Sequence, residues 1–374
     1  MIYLDSAATT FQKPPEVAAA MERALAVMSS PGRGGYPEAM AAAETAFACR
    51  SELAELFGLR DAERVVFTMN ATHALNIAIK SLVSPGGRAV ISGYEHNAVT
   101  RPLAALGAET AVAAGPLFRP EAVTAAFDRL ITPETQVVIC CHVSNVFGFI
   151  QPVEAVAALC RSRGVPLIID ASQSAGVLSL DMDALGAAFI AMPGHKGLYG
   201  PQGTGVLLCG EHVPVRPLME GGTGSMSLRQ EMPDFLPDRL EAGTHNMPGI
   251  AGLLAGVRYV RRRGTGEICR REREMTLVLA EGLRQLPGVQ VFAEPGLGNQ
   301  TGVLSVTAEG RDCEALAQAL AERGTAVRAG LHCAPLAHRT AATLDTGTVR
   351  LSLSDFNTPE EVFQVLESFR RILA

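Results

Sequence analysis

A single lysine in a glycine-rich turn is the first residue of this sequence with chemical potential. Lys196 follows His195 in the turn at 191–201, and apolar runs at 187–191 and 205–208 flank it. Both runs have the length and composition of short buried strands. Burial at a strand end lowers the pKa of a lysine amine, which then serves as a nucleophile, a base or a Schiff-base former. A surface loop lysine is the alternative.

Polar residues follow other apolar runs as well. Asp170 ends the run 165–170, Asn145 follows the run that ends at residue 141, and His96 follows the run 89–92. Ligands of parallel sheets bind beyond the carboxyl ends of the strands, so these side chains are candidates for one site. A carboxylate there would stabilise a protonated ring nitrogen, although Asp170 also suits a helix cap.

Two segments are candidates for binding a phosphate. Residues 68–76 join a strand end to a helix start through small residues, and backbone N–H groups at a helix start bind anions. The glycine-rich segment 221–225 is the second candidate, with a flexible connection as its alternative. The sequence has no P-loop and no convincing G-x-G-x-x-G after a first strand, which argues against nucleotide sites of those kinds.

The last chemical feature is a cysteine near the C-terminus. Cys333 follows His332 and lies near Arg328, a positively charged setting that suits a reactive thiol. Arg350 begins a further apolar run, where an inward-facing arginine suits a substrate carboxylate. A surface ion pair is the alternative for Arg350.

The elements that must position these residues alternate between strands and helices up to residue 209, which predicts an α/β fold with a mostly parallel seven-stranded sheet. The predicted strands are 65–69, 88–92, 109–113, 136–142, 165–170, 187–192 and 204–209. The helices predicted between them are 72–83, 96–105, 120–130, 152–163 and 182–186. Two further helices are predicted before the first strand, at 15–28 and 38–57.

After residue 244 the pattern changes to a smaller α+β domain. It has one long helix at 249–286, strands at 289–293, 302–306, 325–328 and 348–353, and helices at 312–323 and 359–372. We expect a large domain of residues 15–248 and a small domain formed by residues 1–14 with 249–374.

The composition narrows the class of protein. The chain has 374 residues, 48% of them hydrophobic and 19% charged, and a net charge of −6. The basic segment 258–273 is interrupted by acidic residues, which favours a solvated helix face over a nucleic-acid site. No run approaches the length of a membrane span, and no leader pattern is present. Eight cysteines without metal-ligand spacing indicate a reducing compartment, and we expect the cytoplasm and no metal.

Eight motifs in order carry a resemblance to a known family. They lie at 3–8, 71–76, 95–97, 142–145, 170–173, 194–196, 241–244 and 328–334. Together they resemble the pyridoxal 5'-phosphate (PLP) enzymes of fold type I, in the class V aminotransferase superfamily. Within it the sequence is similar to the group II cysteine desulfurases and selenocysteine lyases.

The resemblance implies roles around the PLP ring. Lys196 would hold the cofactor as a Schiff base and move the substrate proton. Asp170 would pair with the pyridine nitrogen, which keeps the ring an electron sink. His96 would stack on the ring, and Gln173 would donate a hydrogen bond to the phenolic oxygen.

It also implies roles around the phosphate. Ala71, through its backbone N–H group, Thr72 and His195 would hold the phosphate. Thr223 would reach the phosphate of a neighbouring subunit, which implies a homodimer with shared sites.

The implied reaction converts L-cysteine to L-alanine and leaves a persulfide on Cys333, the catalytic nucleophile. Asn145, Arg328 and Arg350 would bind the substrate, and a sulfur-acceptor protein is a possible partner. A selenocysteine lyase, a related PLP-dependent C–S lyase, epimerase or aminotransferase, and a non-catalytic sulfur-carrying protein are the alternatives.

The sequence departs from the family pattern at three positions. Pro193 replaces a serine and Ala71 replaces a common threonine, so the phosphate site would depend more on backbone and histidine groups. Tyr36 replaces the histidine of an R-G-x-H motif near the substrate entrance, which could alter the accepted substrate.

Overall fold

The computed structural model describes residues 1–32 and 34–374, so Arg33 of the R-G-x-H region lies outside the described residues. The strands are β1 (Ile2–Tyr3), β2 (Val65–Thr68), β3 (Arg88–Ser92), β4 (Glu109–Ala113), β5 (Thr135–Cys141), β6 (Leu167–Asp170), β7 (Phe189–Pro193), β8 (Gly205–Cys209), β9 (Val289–Phe292), β10 (Val303–Ala308), β11 (Thr325–Ala326), β12 (Arg328–Gly330) and β13 (Thr348–Ser352). The α-helices are α1 (Pro15–Val27), α2 (Pro37–Leu56), α3 (Ala71–Leu82), α4 (Asn97–Ala105), α5 (Pro120–Leu130), α6 (Val153–Arg163), α7 (Met182–Leu185), α8 (Met247–Arg263), α9 (Thr265–Arg284), α10 (Cys313–Glu322), α11 (Pro335–Thr340) and α12 (Pro359–Leu373).

The predicted seven-stranded sheet is confirmed. Its order is β2-β8-β7-β6-β5-β3-β4, and β8 runs antiparallel to both of its neighbours while the other pairs are parallel. Successive residues of a strand alternate between two apolar layers: Ile168 and Leu207 pack on one face, Ile169 and Leu208 on the other. Burial on both faces explains why these strands read as continuous apolar runs.

The C-terminal part is built on a four-stranded antiparallel sheet of order β12-β13-β10-β9. Helices α9, α10 and α12 contribute to its apolar core. The N-terminal strand β1 joins this region through parallel pairing with β11. The division into domains 15–248 and 1–14 with 249–374 stays a prediction.

Two expectations about the C-terminal part were wrong, and one helix there was not expected. The single helix at 249–286 is two helices, α8 and α9, because Gly264 between them has φ 83°, outside the helical region. The single strand at 325–328 is two short strands in different sheets. The short helix α11 was not predicted. Among the described residues, no helix combines the length and apolar character needed to cross a membrane.

Candidate active site

One pocket brings together nearly all the residues predicted for the site. It lies beyond the carboxyl ends of β5, β6 and β7. In the C-terminal part, β12, β13 and the loop after β12 also line it. Among its lining residues are Ala71, Thr72, His96, Asn145, Asp170, Gln173, His195, Lys196, Arg328, Cys333 and Arg350. Thr223 does not line this pocket; it lies in the connection after β8, where its hydroxyl contacts Ser225 at 3.1 Å.

Lys196 lies in a tight turn three residues beyond the end of β7. Its carbonyl accepts a hydrogen bond from the N–H group of Tyr199 at 2.8 Å, and Thr10 of the N-terminal arm donates to the neighbouring carbonyl of His195 at 3.1 Å. Burial lowers the pKa of the Lys196 amine to about 8, although the charge of Asp170 acts in the opposite direction. At neutral pH an appreciable fraction of this amine is therefore uncharged and nucleophilic.

Asp170 and His96 both line the pocket. Asp170 ends β6, where Ala191 is its partner on the strand that leads to Lys196. One of its carboxylate oxygens accepts the N–H group of Ser172 at 2.9 Å. His96 caps α4 by accepting the N–H group of Ala98 on Nδ1 at 3.0 Å. Burial lowers the pKa of His96, so its ring is neutral and offers an apolar face.

The end of the pocket at α3 has the features of an anion site. Ala71 and Thr72 are the first two residues of that helix, whose first N–H groups have no intrahelical acceptor. Asn70 caps the helix by accepting the N–H group of His73 at 2.9 Å. His195 faces the same space, and its buried Nδ1 has no hydrogen-bond partner among the described residues. Burial lowers the pKa of His195 to about 4, so this ring is neutral.

Arg350 is a buried cation with an unused hydrogen-bond donor. It is 1% exposed; its Nη2 is 2.6 Å from a carboxylate oxygen of Asp5, and its Nη1 donates to the carbonyl of Asn145 at 2.9 Å. Its Nε is buried without a partner among the described residues. Arg328 is its partner across β12 and β13. The carboxylate of a ligand could accept a hydrogen bond from this unpaired Nε–H group. A ligand without an acceptor atom could not.

Cys333 lies at the edge of the pocket, in the loop between β12 and α11. It is exposed, whereas the other seven cysteines are buried. The backbone N–H group of Asn97 donates to the Cys333 carbonyl at 2.8 Å. The side chain of Asn145 donates to the carbonyl of His332 at 2.8 Å, so it anchors this loop.

The structure gives contacts to two further side chains, Gln173 and Asp5, that the sequence did not indicate. The Gln173 amide donates to the carbonyl of Ala7 at 2.9 Å, so that bond links it to the N-terminal arm. Asp5 received no role from the sequence, although it lies in the first motif. Its signal was that it is the one acidic residue of the arm 1–14, but its partner is 345 residues away.

Comparison with known proteins agrees with this geometry. The family model described as aminotransferase class-V matches residues 2–365. A probable cysteine desulfurase of Methanothermobacter thermautotrophicus is 32% identical over 99% of this chain and 94% of that protein, and one of Xylella fastidiosa strain 9a5c is 34% identical over 100% and 91%.

A solved structure gives the same result. The apo structure of a cysteine desulfurase from Thermococcus onnurineus superimposes with a TM-score of 0.90 at 30% identity, covering 100% of this chain and 94% of that one. The matches span almost the full length of each protein, so they include the seven-stranded sheet, the four-stranded sheet and the residues that line the pocket. This chain belongs to the class V aminotransferase family.

Proposed function

We propose that this protein is a PLP-dependent cysteine desulfurase that converts L-cysteine to L-alanine and takes the sulfur onto Cys333. The observation that carries the proposal is the meeting of a buried lysine, a strand-end carboxylate, a buried arginine and an exposed thiol at one pocket. The relatives named as cysteine desulfurases support it.

The pocket residues fit PLP. The orphaned Nδ1 of His195 and the open N–H groups of Ala71 and Thr72 suit the phosphate, and Asp170 suits the ring nitrogen. Lys196 supplies the amine for covalent attachment. PLP, when bound, supplies an electron sink for the bonds at the substrate α-carbon.

Around that sink the protein binds the substrate and moves protons. Arg350 binds the substrate carboxylate through its free Nε edge, and Arg328 adds positive charge beside it. The amine of Lys196 takes the α-proton, which its lowered pKa permits near neutral pH. His96 provides a neutral ring face above the floor of the pocket.

Sulfur transfer is the step assigned to Cys333. Its thiolate attacks the substrate sulfur, the new S–S bond forms as the C–S bond breaks, and the electron pair stays on the carbon. Protonation of that carbon gives the methyl group of alanine, and the enzyme keeps a persulfide. The exposure of Cys333 then lets a thiol or an acceptor protein remove the sulfur.

The proposal includes a homodimer in a reducing compartment, the cytoplasm. Met40 and Phe47 lie on one face of helix α2 and Tyr36 is its N-cap residue; the three are 52%, 62% and 48% exposed. We name these three residues the α2 stripe. An exposed apolar face of this kind suits burial against a second copy of the chain. Thr223, which does not line its own pocket, would then reach the phosphate site of that second copy.

The test is alanine formation by the PLP-loaded enzyme from L-cysteine and L-selenocysteine, with and without dithiothreitol. We expect product from both, with cysteine turnover stimulated by the thiol because it removes the persulfide. Cys333→Ala should abolish turnover of cysteine. Full cysteine turnover by this variant would contradict persulfide chemistry, and a protein that stays colourless with added PLP would overturn the proposal.

A further inference from the structure

The turn that carries Cys333, residues 331–334, has an unfavourable backbone. His332 and Cys333 have φ values of 52° and 54°, so two successive residues with side chains occupy the left-handed region. That conformation is costly for any residue except glycine and persists only when its surroundings impose it. One internal bond, from the N–H group of Ala334 to the carbonyl of Leu331 at 2.9 Å, closes the turn.

The side chain of His332 links this turn to a chain of buried groups. Its Nε2 lies 3.3 Å from the carbonyl oxygen of Arg328, and its Nδ1 lies 3.4 Å from Nε2 of His338. Nδ1 of His338 in turn lies 2.8 Å from the hydroxyl of Thr343. The two rings are 12° from parallel, and His338 is 0% exposed.

The carbonyl of Arg328 and the single proton on each neutral ring together set the direction of every hydrogen bond in this chain. A carbonyl only accepts, so the proton of His332 is on Nε2 and its Nδ1 is an acceptor. Burial lowers the pKa of His332 to about 3 and that of His338 to about 4, so each ring carries one proton. His338 therefore donates from Nε2, and its Nδ1 accepts the hydroxyl proton of Thr343.

We propose that His338 and Thr343 are positioning residues for Cys333, because their hydrogen bonds fix the ring of His332 and hold the turn in its left-handed conformation. The sulfur chemistry of Cys333 rests on the proposed function. Neither residue lines the pocket, so both act through His332. The thiol then reaches the substrate by rotation of its own side chain, on a backbone that stays in place.

The test compares Thr343→Val with Thr343→Ser and Thr346→Val in the PLP-loaded enzyme. Valine keeps the shape of threonine but leaves Nδ1 of His338 buried without a donor, whereas serine keeps the hydroxyl. Thr346 is the matched control, because its hydroxyl donates to backbone carbonyls of the same loop, at 3.0 Å to Gly347, and to neither histidine.

We expect kcat for alanine formation from cysteine to fall about tenfold in Thr343→Val, because small displacements of a reacting group have effects of that order. KM for cysteine should stay close to the wild-type value, since neither His338 nor Thr343 lines the pocket that holds the substrate. Thr343→Ser should restore kcat, and Thr346→Val should leave it unchanged. A purely structural role would lower the amount of folded enzyme without this selective change in kcat.

Alkylation of Cys333 by iodoacetamide gives a second readout that needs no activity. The other cysteines are buried, and Cys333→Ala supplies the background. Thr343→Val should change the alkylation rate several-fold, and the serine variant should not. If Thr343→Val does not fold, His338→Gln serves in its place.

Wild-type kcat and alkylation rates in Thr343→Val would overturn the inference. A wild-type enzyme that makes no alanine from cysteine would instead overturn the proposed function, while the alkylation rates would still test the positioning of Cys333.

Discussion

Surroundings distinguish the reactive lysine from a second lysine with a similar pKa. Burial lowers the pKa of both Lys13 and Lys196 to about 8. The amine of Lys13 donates to the carbonyl and the hydroxyl of Thr10 at 3.0 and 2.8 Å, so its donors are used within the arm. Lys196 instead lines the pocket beside Asp170.

The lowered pKa of Lys196 predicts how cofactor loading depends on pH. Only the uncharged amine attacks an aldehyde, and below pH 8 the uncharged fraction falls about tenfold for each pH unit. The rate at which PLP loads the cofactor-free protein should therefore rise with pH and level off above about 8. Stopped-flow absorbance measures this rate, with Lys196→Ala as the blank. A plateau reached only near pH 10 would contradict the low pKa.

Asp5 predicts a property of substrate binding, because it contacts Arg350, the residue proposed to bind the substrate carboxylate. Asp5→Asn keeps an oxygen for Nη2 and removes the competing charge, so KM for cysteine should fall about fivefold, equivalent to ~1 kcal/mol. Steady-state kinetics measure KM. Inhibition by cysteamine, which has no carboxylate, is the control and should not change. A higher KM for cysteine would show that Asp5 is needed to orient Arg350.

At the scale of elements, the break between α8 and α9 offers a matched pair of glycines. A Cβ at Gly264 or at Gly266 would meet no atom within 4 Å, but only Gly264 has a positive φ. Gly264→Ala should destabilise the protein by about 1–3 kcal/mol through backbone strain alone. Gly266→Ala, in the first turn of α9, should be neutral or stabilise by up to about 1 kcal/mol. Urea unfolding midpoints measure both; equal shifts would contradict the explanation.

The same break shows where sequence patterns stop being informative. Apolar runs predict the inner strands of the seven-stranded sheet because burial on both faces demands such runs, whereas the edge strand β4 is largely exposed. Residues at strand ends predict the pocket. The helix period continues across Gly264, so only its φ separates α8 from α9. The contact of Asp5 with Arg350 and that of His332 with His338 depend on tertiary packing, which local spacing does not encode.

At the scale of the whole molecule, the α2 stripe predicts the oligomer. Phe47→Glu places a charge in the proposed interface and should convert the dimer to a monomer, because an unpaired buried charge is costly. Analytical ultracentrifugation measures the mass. Phe363→Glu is the matched control, because Phe363 is 60% exposed on α12, which packs against α9 and α10. A dimer that survives Phe47→Glu, or a wild-type monomer, would contradict this assembly.

The N-terminal arm ties the start of the chain to its end. Strand β1 pairs with β11, and Asp5 bonds to Arg350 across 345 residues of sequence. On the ribosome β1 and Asp5 emerge early, but their partners in β11 and β13 are made only near the end of synthesis. Contacts between such distant residues also form slowly. The substrate site is therefore completed last in biosynthesis, and a nascent or truncated chain that lacks residues 325–352 holds the lysine without the means to bind a carboxylate.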